Sequence, residues 1–162
     1  MTLDPVLQSG PVIALHTGAA LTAFAAGPVA ILRRQRDMVH KTAGYLWVGA
    51  MVVTALTALG IFELRLIGPL SPIHALVVVT LIMLWRGVAA IRGRRVVDHA
   101  RTMVQLYLYA MGVAGLFTLL PGRRMNAVLF GGDSWAGFGL AAMAFAALAW
   151  WLWNAQPPVR RG

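Results

Sequence analysis

Apolar residues run in five long blocks, separated by short basic stretches or by proline and glycine. Each block is close to the ~20 residues that a helix needs to cross the hydrocarbon core of a bilayer. The pattern predicts helices over 11–32, 42–62, 72–91, 102–120 and 134–153. Pro28 lies toward the inner end of the first, where it should kink the helix and release a backbone carbonyl. The run Gly68-Pro69-Leu70-Ser71-Pro72 favours a turn and then a helix start. Pro121-Gly122 ends the fourth block, and the glycine-containing, mildly apolar stretch 123–133 suits the membrane surface.

These blocks predict an all-α membrane fold. Four of the five transmembrane helices would form a bundle of two related hairpins over 11–120, followed by a surface connection at 121–133 and a C-terminal fifth helix, all within one domain of 162 residues. Trp135 at one end of the fifth helix and Trp150, Trp151 and Trp153 at the other suit interfacial belts. Residues 1–10 lack Lys and Arg, so this segment is expected to be retained, not cleaved as a signal peptide.

Composition agrees with the pattern: 59% hydrophobic and 12% charged residues are too apolar a mixture for a soluble fold of this length. The net charge of +9 would suggest nucleic acid in a soluble protein, but the basic residues gather in short loops. They read as topology signals, and no nucleic-acid partner is expected. Arg33, Arg34, Arg36 and Lys41 fill one loop, Arg92, Arg94, Arg95 and Arg101 another, and Arg160 and Arg161 close the chain; the opposite side has Arg65, Arg123 and Arg124. Leaving out Arg86, which can snorkel to the interface beside Trp85, the count is ten against three. It puts the N-terminus outside and the C-terminus in the cytoplasm. The absence of cysteine excludes disulfides, thiolate metal sites, cysteine nucleophiles and covalent haem attachment.

The four histidines form a doubled pattern. His16 and His40 are 24 residues apart across the first basic loop, and His74 and His99 are 25 apart across the second. Arg33 follows His16 by 17 residues and Arg92 follows His74 by 18, as expected of two similar hairpins with a histidine near either membrane face.

The elements Ser71-Pro72-Ile73-His74, His99, Met103, Tyr107, Ala114-Gly115, Phe117-Thr118 and Pro121-Gly122-Arg123 carry a further signal, together with His16 and His40–Gly44–Tyr45. Over roughly 11–130 this pattern resembles a family of small bacterial integral membrane proteins of unknown function. Lys41 stands where that pattern has Arg, and Ala100 separates His99 from the basic Arg101. The resemblance implies the topology and the importance of the histidines, and names no reaction.

A histidine within a membrane segment usually faces the bundle interior, which makes His16 and His74 the leading pair. Two imidazoles facing each other across a bundle are the ligand set of a b-type haem, and His40 with His99 would form a second pair roughly 24 Å away. The arrangement resembles that of transmembrane di-haem b cytochromes, and suggests a membrane electron carrier working with a redox partner. Two alternatives stand beside it. His16, His74 and Glu63 could form a non-haem metal site. Or the histidines are structural, in a non-catalytic scaffold or subunit docking on a larger membrane complex or on lipid, with Arg33, Arg34, Arg92, Arg94 and Arg95 meeting anionic head groups.

Overall fold

The computed structural model describes residues 10–33, 35–61, 72–131 and 134–154, and every regular element among them is helical. α1 covers Pro11–Leu32, α2 Met38–Ala58, α3 Pro72–Arg92 and α4 Val96–Leu106. The chain then widens into a π-helical stretch at Tyr107–Val113 and continues as α5, Ala114–Thr118; α6 is Arg124–Phe130 and α7 Trp135–Asn154. Glu63, Arg65, Arg34, Asp133, Arg160, Arg161 and the turn before Pro72 lie outside the described residues.

Among the described residues, α1 and the stretch His74–Arg92 are each long and apolar enough to cross a membrane. α6 and α7, which meet at 95°, qualify as a third span when taken together. α2 and α4 differ from the apolar blocks because they start in polar sequence. α2 begins four residues before the expected Thr42, since Asp37 caps it by accepting a hydrogen bond from the His40 N–H at 3.0 Å. α4 begins six residues before the expected Thr102, so Asp98, His99 and Arg101 are helical rather than loop residues. The expected surface connection contains a helix of its own, α6.

The chain divides into two compact units between Met111 and Gly112, within the π-helical stretch. In the first, α1 packs along α2 and α3 along α4, α2 also meets α3, and α1 meets α4 over a smaller area. Small residues set the first hairpin: Ala23, Ala26, Gly27 and Ala30 of α1 and Ala50, Ala55 and Ala58 of α2 are buried. Such residues let two helix backbones approach closely. The middle of the unit is filled by Trp47 and Tyr107, each 1% exposed, with the Phe24 ring stacked on Tyr107 at a centroid distance of 6.2 Å.

α1 continues through Pro28. Proline has no N–H, so the carbonyl of Phe24, four residues earlier, loses its helical donor. The Tyr107 hydroxyl supplies the missing bond at 3.1 Å. Gly27 makes this meeting feasible, because a Cβ there would lie 2.5 Å from the Tyr107 ring.

The second unit is organised by Asn126, which is fully buried. Its amide group donates to the Leu119 and Ser134 carbonyls at 2.7 and 3.1 Å, and its Oδ1 accepts from the Ser134 N–H at 2.9 Å. One side chain thus ties the end of α5 to the start of α7 across α6. Gly131, at φ +75, closes α6 in the left-handed conformation that glycine adopts without steric cost.

Candidate functional site

The histidines are placed by the helix ends. His16 sits in the second turn of α1, His40 and His99 in the first turn of α2 and α4, and His74 at the start of α3; all four are half-buried. Three share one hydrogen-bonding pattern. His16 Nδ1 lies 3.0 Å from the Thr54 carbonyl and 3.0 Å from Thr57 Oγ1 on α2. His40 Nδ1 lies 3.0 Å from the Ala30 carbonyl on α1, and His99 Nδ1 lies 2.9 Å from the Gly87 carbonyl on α3. His74 also has an interaction partner.

A carbonyl oxygen can only accept, so in each of these three bonds Nδ1 carries the proton and donates. In a neutral imidazole the lone pair then resides on Nε2. Each bond also fixes the ring plane against the neighbouring helix. The hairpins are therefore stapled by imidazoles whose remaining nitrogen has acceptor or ligand character.

The acceptors differ in kind. Ala30 lies in the last turn of α1, where carbonyls have no intrahelical donor, so His40 satisfies an orphan group. Gly87 lies five residues before the end of α3, and its carbonyl takes the His99 bond where α4 side chains press against α3: a Cβ at Gly87 would meet the Met103 and Thr102 side chains.

Of the expected outer pair, His16 and a neighbour of His74 meet one stretch of α2. His16 bonds to Thr54 and Thr57, and Val77, one turn after His74, packs against Ala55 and Ala58 of the same stretch. On α2 this level is 14 residues from His40, or roughly 21 Å at ~1.5 Å per residue, with Trp47 between. Among the described residues no three side chains from His, Asp and Glu gather as a metal site; Glu63, the third member of the expected triad, lies outside them.

The basic loops are also built differently. Asp37 receives the Arg33 guanidinium through Nε, at 3.0 Å to Oδ2, and through Nη2. This hydrogen bonding, helped by the His40 N–H, pulls the Asp37 carboxyl down to about 2, and the same pairing raises the Arg33 guanidinium above its ordinary value. In the second loop α4 has no side-chain cap, Arg95 and Asp98 are 4.0 Å apart in solvent, and Arg94 holds a left-handed φ of 59°. Arg92, Arg94 and Arg95 are exposed.

Two features went unread in the sequence. Asn126 gives no signal beyond being the one uncharged polar side chain of the stretch 123–133. The Tyr107–Phe24 bond was half visible, since Pro28 announces a released carbonyl but says nothing of its donor.

No curated protein and no solved structure matches the chain. A family model does match, over residues 13–153 and thus over nearly all of the described helices and all four histidines, and on that match the chain belongs to the family described as predicted membrane protein (DUF2306).

Proposed function

We propose that this membrane protein is a b-type haem electron carrier, with His16 and His74 as the outer ligand pair and His40 and His99 as the inner one. In this reading the first unit is a four-helix bundle of two related hairpins and α7 a further span, five in all. The N-terminus faces outside and the C-terminus the cytoplasm of a bacterial inner membrane. The observation that carries the proposal is the shared orientation of His16, His40 and His99, each donating Nδ1–H to a main-chain carbonyl. Metal-ligating histidines generally have such a partner, which fixes the tautomer and raises the basicity of Nε2.

The donor set fits haem. Without cysteine, axial ligation falls to His, Met or Tyr, and histidine pairs inside helix bundles hold haem b. The bound group would supply one-electron chemistry near each membrane face. The chain's own residues orient the imidazoles and keep water from the middle of the unit, where Trp47, Tyr107 and Phe24 pack between the two histidine levels.

The same bonds also favour a second reading, in which the histidines only staple the hairpins of a membrane scaffold. Reduced-minus-oxidised absorption spectra of protein purified after haem-replete expression separate the two. The haem reading expects a Soret shift and sharp α and β bands, with His16→Ala and His40→Ala each removing part of the signal. A featureless spectrum from folded protein leaves the scaffold.

A further inference from the structure

α3 carries an arginine where lipid should be. Val78, Val79, Ile82 and Trp85 are all exposed, Trp85 by 72%, and at 100° per residue they lie on one stripe of an otherwise apolar helix. Arg86 falls on the same stripe and is exposed, six residues and roughly 9 Å before the end of the helix. On α4, Asp98, Arg101 and Gln105 recur at intervals of three and four and are likewise exposed. The Trp85–Arg86 end of the first row and the α4 row line a groove of about 360 Å³ between α3 and α4, with Arg95 also at its wall.

The groove is positively charged. Three guanidinium groups line it against the single carboxylate of Asp98, which lies 4.0 Å from Arg95. Among the described residues neither Arg86 nor Arg101 has a carboxylate partner. A guanidinium near hydrocarbon is costly unless it is paired, and its fork matches phosphate oxygens. Apolar side chains run from the groove along α3 toward the membrane interior, where acyl chains would lie.

We propose that this groove is a binding site for the head group of an anionic phospholipid. The phosphate sits between Arg86 and Arg101, Gln105 and Arg95 reach its remaining oxygens or the head-group hydroxyls, Trp85 marks the interface, and the acyl chains follow Val78, Val79 and Ile82. This site shares only Arg95 with the loop arginines expected to meet head groups, adds Arg86, Arg101 and Gln105 from the two helices, and is independent of the haem reading.

Native mass spectrometry of the detergent-solubilised full chain tests it, with dioleoyl-phosphatidylglycerol, dioleoyl-phosphatidylcholine and inorganic phosphate as parallel probes. One phosphatidylglycerol should be retained where phosphatidylcholine is stripped, and an excess of inorganic phosphate should not displace it. Arg86→Gln and Arg101→Gln should each weaken retention at least tenfold, Arg86→Lys should keep most of it, and Arg33→Gln should keep all of it. Circular dichroism melts confirm folding; if Arg86→Gln does not fold, Arg101→Gln and Gln105→Ala carry the test. Equal retention of the two lipids, unchanged retention in the Arg101→Gln variant, or displacement by inorganic phosphate each overturns the proposal.

Discussion

The two hairpins use the same device on different foundations. In the first, His16 and His40 join α1 to α2 at opposite ends of an interface of small residues, α2 starts on a capped turn, and Arg33 locks the cap. In the second, His99 joins α3 to α4 through a carbonyl five residues before the end of α3, α4 starts uncapped, and the loop between them runs through a left-handed arginine. Loop length accounts for part of the difference. Five residues separate α1 from α2, whereas three separate α3 from α4, and His99 reaches correspondingly deeper along the preceding helix, to Gly87. The imidazole–carbonyl bond made by His40 and His99 is what the hairpins have in common, while the packing beneath it varies.

Breaking the first hairpin's packing should have the largest structural effect. Gly27→Ala puts a methyl group into the Tyr107 ring and should cost about 2 kcal/mol, the usual range for overpacking. Gly18→Ala, on the same helix but with open space around it, should be neutral or stabilising by up to ~1 kcal/mol through helix propensity. Denaturant titration in mixed micelles compares them; equal effects would mean that the tight approach of Gly27 to Tyr107 is wrong.

A double-mutant cycle sharpens the same region. Tyr107→Phe leaves the Phe24 carbonyl without a donor and should cost about 1 kcal/mol, near the upper values measured for hydrogen bonds in membrane bundles. In a Pro28→Ala background the helix supplies its own N–H, and the cost of Tyr107→Phe should fall toward zero. Additive effects would sever the link between the proline and the tyrosine.

How far the sequence revealed all this depends on the kind of signal. Helix ends set by proline, as at Pro11, were legible, and so was the histidine doubling. The starts of α2 and α4 were not, because His40, Lys41, Asp98, His99 and Arg101 read as loop residues when only apolar runs define a span. They are helical because a first turn needs no apolar side chain: Asp37 caps that of α2, and in α4 the His99 imidazole reaches the Gly87 carbonyl of α3. The π-helical widening at Tyr107–Val113 has no residue signature comparable to proline or glycine. Asn126 was illegible for another reason: its partners are backbone groups of Leu119 and Ser134, which any residue could offer.

The capped loop adds a pH test. A carboxyl lowered from 3.8 to about 2 contributes stability that is complete above pH 3.8 and is lost as pH falls toward 2. Melting temperature should drop over that window in the wild type. Asp37→Asn, which keeps the cap but not the charge, should flatten the drop, and Asp98→Asn in the second hairpin should leave it unchanged. A wild-type slope that survives Asp37→Asn would remove the Arg33–Asp37 pair as its origin.

The smallest effect belongs to the second loop. Arg94→Gly relieves a left-handed residue at φ 59° but adds freedom to the unfolded chain, for a net gain under about 1 kcal/mol. No gain at all would mean that the turn tolerates arginine without strain.

The central claim is that imidazoles anchored through Nδ1 offer Nε2 to haem at two levels. Haem content per chain, measured as the pyridine haemochrome on folded, haem-replete protein, tests it most directly. The account predicts two haems per wild-type chain and one in either His16→Ala or His40→Ala; a wild-type chain with none, or a content that neither substitution changes, contradicts it.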